Sequence, residues 1–107
     1  MNRLMRMLVF FDLPVKTAAE RRVATQFRNF LLKDGYHMLQ YSLYARVCCG
    51  MDAVNTHRAR LYAHLPDNGS VRLLTITEKQ YAAIEILVGR LSVEEETDFH
   101  CEQLSIF

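Results

Sequence analysis

Residues 7–14 read MLVFFDLP, an apolar run from Met7 to Phe11 that ends on Asp12 and is followed by Leu13 and Pro14. A run that apolar predicts a central strand, buried on both faces. Pro14 has no N–H to give to a ladder, so the strand stops at or just after Asp12. The strand covers residues 4–12 and delivers a carboxylate to its own end. A charge is costly to bury unless it is paired or holds a metal. Two readings of Asp12 stay open: a cap for the turn before the next helix, or a functional carboxylate.

Working outward, Thr17-Ala18-Ala19-Glu20 is a capping-box pattern that starts a helix running to Asp34. Val23, Phe27, Phe30 and Leu31 form its apolar face, and Gly35 suits a left-handed C-cap. Arg21 and Arg28 share one side of this helix, with Arg22 beside them in the first turn, near the expected position of Asp12. Tyr36 to Cys49 is rich in strand formers and long enough to break near Gln40 to Ser42. By period two, Leu39, Tyr41, Leu43, Ala45 and Val47 fall on one face, and Met38, Gln40, Ser42, Tyr44 and Arg46 on the other. A second helix follows from Asp52 to His64, then a stop at Leu65-Pro66-Asp67-Asn68-Gly69 and a strand over Val71 to Ile76. Thr77-Glu78-Lys79-Gln80 opens a short helical turn. Ile84 to Val88 is ambiguous between helix and strand.

The order strand, helix, strand–strand, helix, strand is the split βαβ of α+β, ferredoxin-like folds, a βαββαβ sandwich with an additional C-terminal strand or tail. Helices cover one face of such a sheet. The other face is expected to carry Met38, Gln40, Ser42 and Tyr44 and to be a candidate dimer surface.

With 107 residues, half of them hydrophobic, the chain has room for one core. We read residues 1–89 as the domain and 90–107 as a tail, acidic and then apolar at Leu104, Ile106 and Phe107, that docks on the domain or on a partner. No apolar run approaches the roughly 18 residues of a membrane span. The basic-then-apolar start is closed by Asp12 without a small-residue cleavage site, so the chain reads as cytoplasmic. The three cysteines, Cys48, Cys49 and Cys101, include no C-x-x-C pair and support neither a zinc site nor a disulfide framework. His37, His57, His64 and His100 have no metal-ligand spacing.

The net charge of +1 conceals an asymmetry. Residues 1–60 hold ten Lys and Arg against four Asp and Glu, a balance of +6; residues 61–107 hold three against eight, a balance of −5. Such a split describes either a polyanion-binding face or ordinary solvated charge, depending on whether the basic residues converge.

Four stretches together carry a resemblance: MLVFFDLP, Glu20-Arg21-Arg22, Met38-Leu39-Gln40-Tyr41-Ser42-Leu43-Tyr44 and LLTITEKQY. In this order and at this length the chain resembles the small CRISPR-associated adaptation endonucleases, the non-integrase partner of the CRISPR integrase, in their type II-like form. The resemblance covers residues 4–89 and weakens after Gly89. It implies a ferredoxin-like homodimer built through its sheets, acting with the integrase in spacer acquisition on double-stranded DNA or single-stranded RNA. It implies that Asp12 is the catalytic carboxylate and, with its mate across the two-fold axis, a ligand of Mg²⁺ or Mn²⁺. Ser42 matches the family serine after the second strand, and Ile84 to Val88 becomes a strand. The family often has tyrosine before the aspartate; here Phe11 removes that hydroxyl.

The residues' own chemistry is compatible with this. Magnesium keeps several waters and takes one or two carboxylates, so one Asp12 per chain requires a second copy and a substrate phosphate. Arg21, Arg22, Arg28 and Arg46 are the expected phosphate contacts. No histidine or second carboxylate stands out as general base. The rival expectation is therefore a non-catalytic scaffold that bridges DNA in the integration complex. An unrelated RNA-recognition module ranks lower, because its K/R-G-F/Y-G-F signature is missing.

Overall fold

The computed structural model describes residues 3–89. Strand β1 (Leu4–Asp12) is followed by helix α1 (Ala18–Lys33), strands β2 (His37–Gln40) and β3 (Leu43–Cys49), helix α2 (Met51–Ala63), strand β4 (Ser70–Thr77) and the short helix α3 (Glu78–Ala82). The strands form one antiparallel sheet in the order β2-β3-β1-β4. This is the ferredoxin-like arrangement expected from the order of elements.

β1 lies between β3 and β4, and the MLVFFD run is buried on both faces over most of its length. Its odd residues Met5, Met7, Val9 and Phe11 pack with Phe27 and Leu31 of α1 and Val54 and Leu61 of α2. α1 starts where predicted. Thr17 accepts from the Glu20 N–H at 3.1 Å, and the Thr17 N–H donates to Glu20 Oε1 at 2.9 Å. Its buried stripe is Ala24, Phe27 and Leu31, whereas Val23 is exposed.

The expected break in the Tyr36–Cys49 stretch falls at Tyr41-Ser42. Of the expected open face, Met38, Gln40 and Ser42 are exposed, but Tyr44 is not. Tyr44 is only 3% exposed and belongs to the core beneath the helices, with Cys48. The side away from α1 and α2 carries Leu8, Leu39, Leu43 and Ala45, with Phe10 and Leu74 exposed. Period two sorts residues into two sets but does not say which set meets the helices. The right-handed β1-α1-β2 crossover decides that.

α3 caps part of this second side. Tyr81 packs on Leu8 and Ala45, and the Arg6 guanidinium lies 4.3 Å from the Tyr81 ring centroid. Ile84 to Val88 is not a strand in the single chain. Its Ile84, Ile86, Leu87 and Val88 are exposed, Val88 at 95%. A strand needs a neighbour, and this segment pairs with neither open edge of the sheet, on β2 or on β4. The tail from residue 90 lies outside the described residues. Among the described residues, no helix is long and apolar enough to cross a membrane.

Candidate functional site

Asp12 is the last residue of β1, paired with Ser70 of β4. It is exposed, while its neighbour Phe11 is buried. The Phe11 ring meets Phe27 edge-on at 5.3 Å and Tyr44 at 5.5 Å. Its N–H donates to the Ser42 carbonyl at 3.0 Å. The family-like tyrosine position is therefore a core position here, and Ser42 meets the site through its backbone. On the other flank, Gly69 has φ +93°, and a Cβ there would lie 2.6 Å from the Asp12 carbonyl oxygen. Only glycine allows this loop to close over the strand end. The carboxylate thus stands on backbone gripped from both sides.

The predicted arginines divide. The Arg28 guanidinium lies 5.8 Å from the Phe11 ring centroid, beside the end of β1. Arg21 Nη1 donates to the Val15 and Lys16 carbonyls at 3.1 and 3.0 Å, which ties the β1–α1 connection. Arg22 is exposed on the same turn. These three share the end of the domain that holds Asp12. Arg46 does not join them. It pairs with Met7, five residues back along β1, roughly 16 Å at strand rise. Its Nη1 donates to the Asp34 carbonyl and lies 3.0 Å from His57 Nδ1. A Cβ on Gly35 would meet this guanidinium at 2.8 Å. The Arg46 guanidinium is thus engaged within the fold, and the structure does not bring it together with Arg21, Arg22 and Arg28.

Around it lies a polar cluster that sequence reading missed. The Asp34 side chain is 6% exposed, 2.8 Å from His57 Nδ1 and 3.0 Å from Arg60 Nη1. One signal was available. A carboxylate at a helix C-terminus opposes the helix dipole, so it needs cations nearby. Burial, and then Asp34, push the Tyr36 hydroxyl well above its ordinary range. Burial likewise raises the Cys48 thiol, with Arg46 working against it. His57 and His64 do not share a site. His64 instead stacks on Phe30 at 4.0 Å.

For a metal, the donor chemistry is partial. Among the described residues, no three His, Cys, Asp or Glu converge. Glu20, near the same end, is spent on the capping box. Asp12 offers hard oxygen ligands in the open, which fits one share of a Mg²⁺ or Mn²⁺ site but not a whole one.

The profile of one protein family, described as CRISPR associated protein Cas2, matches residues 5–84. The chain is 53% identical over 103 residues to a protein of Acidovorax ebreus named CRISPR-associated endoribonuclease Cas2, covering 96% of this chain and 100% of that one. It is 41% identical over 100 residues to a protein of the same name from Flavobacterium psychrophilum, covering 94% and 85%. In fold it is similar to the crystal structure of Streptococcus pyogenes Cas2 at pH 6.5, with a TM-score of 0.58 and 19% identity, over 78% of this chain and 99% of that chain.

Proposed function

The chain belongs to the CRISPR-associated Cas2 family, and from that premise we propose that it is a metal-dependent endonuclease of CRISPR adaptation. In this reading it binds nucleic acid as a homodimer and acts with the integrase in spacer acquisition. The observation that carries it is Asp12, an exposed carboxylate at the end of a buried strand.

Two copies are needed because one chain supplies one carboxylate. The sheet side away from α1 and α2, with Phe10 and Leu74 exposed, supports an isologous contact. The exposed Ile84 to Val88 segment supports it further, as a strand that a second copy's sheet edge would pair. Bound Mg²⁺ or Mn²⁺ supplies Lewis-acid polarisation of the phosphate and acidifies water. Asp12 of each copy would supply carboxylate oxygens to that ion. Arg22 and Arg28 hold flanking phosphates and keep the backbone in register. Arg21 first organises the connection that presents them.

The scaffold reading has its own support, since among the described residues no three His, Cys, Asp or Glu converge as a metal-holding group. Asp12→Asn keeps size and shape and removes the charge. Cleavage of single-stranded RNA and of duplex DNA is measured with Mg²⁺, with Mn²⁺ and with EDTA, alongside duplex affinity and light scattering. The nuclease reading expects cleavage to vanish in the variant and in EDTA, with affinity retained and a mass twice 12.5 kDa. Full cleavage by Asp12→Asn removes the catalytic assignment. A wild type that binds duplex but never cleaves leaves the scaffold. A monomer removes the shared-metal site.

A further inference from the structure

The turn that leads into this site has unusual chemistry. β2 and β3 are joined by only Tyr41 and Ser42. Two-residue hairpin turns normally take positive φ and therefore Asn, Asp or Gly. Neither residue here has positive φ. The register slip between Met38 and Gln40 absorbs the geometry instead. A large side chain is thereby permitted at the tip, and the one present is a tyrosine, 82% exposed. Among the described residues its ring stacks on no other ring.

Its place is as informative as its exposure. Phe10 pairs with Leu43, and Phe11 donates to Ser42. Tyr41 is the next residue of the turn, at the end of the sheet where β1 finishes on Asp12. Tyr62, also exposed at 69%, lies on α2 and has no such relation to the strand end.

We infer that Tyr41 is a stacking platform for an unpaired base of the nucleic acid whose phosphate lies at Asp12. The inference rests on the function proposed above and names the substrate class of that site. An exposed ring offers a π-face that any base can use, so the contact tolerates sequence. Bases inside a duplex already stack on one another. The ligand is therefore a single strand or the unpaired end of a duplex.

The test uses the full chain in EDTA and fluorescence anisotropy. The probes are a labelled oligouridylate of about 12 nucleotides, a strand of equal length made of abasic units, a blunt duplex, and the same duplex with a single-stranded overhang. Tyr41→Ala is expected to weaken the base-bearing strand about tenfold, about 1.4 kcal/mol, and to leave the abasic strand unchanged. Tyr41→Phe, which keeps the ring, binds like wild type, and so does Tyr62→Ala. If the overhang duplex but not the blunt one responds to Tyr41→Ala, the site also takes unpaired ends; if neither responds, it takes single strands. Equal affinity of Tyr41→Ala and wild type for the oligouridylate overturns the inference. An equal loss on the abasic strand overturns it too, because Tyr41 then acts through the backbone contact. A changed mass for Tyr41→Ala in light scattering reassigns the residue to the contact between copies. A wild type that binds no probe fails the function itself, before Tyr41 enters.

Discussion

Arg6 and Glu78, 72 residues apart, form a two-pronged ion pair with N···O distances of 2.6 and 3.1 Å. Arg6 is 3% exposed, at the sheet side that α3 covers. The pair joins the first strand to the last described helix, and α3 has only five residues of its own to stay folded. Removing one partner of a buried pair leaves a charge poorly solvated. Glu78→Gln is expected to cost about 2 kcal/mol, less than a fully buried pair because Glu78 is partly in water. Chemical denaturation reads the loss, and hydrogen exchange shows α3 opening first. Unchanged exchange at α3 would mean that Tyr81 packing alone holds the helix.

Gly69 fails differently. Alanine there meets positive φ and the Asp12 carbonyl together. The left-handed backbone alone costs an L-residue about 1–2 kcal/mol. Gly69→Ala is therefore expected to destabilise the fold by at least that and to reduce cleavage beyond what the unfolded fraction explains. Cleavage measured well below the melting temperature separates the two effects.

Arg22 and Arg46 are expected to part company. If Arg22 contacts a phosphate, Arg22→Ala lowers duplex affinity and reduces the slope of log K against log salt by about 0.9, with little change in melting. Arg46→Ala abandons the Asp34 carbonyl and the His57 contact. It is expected to lose about 1.5–3 kcal/mol of stability and to keep the salt slope. Anisotropy at two salt concentrations, with urea denaturation of each variant, checks both.

The shifted groups predict an alkaline limb in stability. Cys48 and Tyr36 have ordinary values of 9.0 and 10.0, and burial raises both in the fold. Above those values the unfolded chain releases protons that the folded chain retains. The unfolded state binds fewer protons, so stability falls as pH rises from about 9. Below that pH neither group contributes a slope. Cys48→Ala removes the first part of the limb, and Tyr36→Phe the later part. A wild-type stability independent of pH between about 8 and 11 would contradict the burial of both groups.

The order of elements was legible because local chemistry writes it. An apolar run closed by Asp12 and Pro14, a capping box at Thr17 and Glu20, another at Thr77 and Gln80, and a turn cluster before Gly69 act over a few residues each. They determine the ferredoxin-like sequence of strands and helices, and the exposed carboxylate at the end of β1. The choice of sheet face was not legible. Tyr44 and Leu43 are neighbours of similar apolarity, and only the handedness of the crossover sends one beneath the helices. Nor could composition separate Arg46 from Arg22. Both are arginines in a basic half, but one lies within reach of Asp34 and His57, residues 12 and 11 positions away along the chain. A guanidinium's role depends on which acceptors the fold brings within hydrogen-bond range, and that is a property of three-dimensional neighbours, which tertiary structure alone assigns.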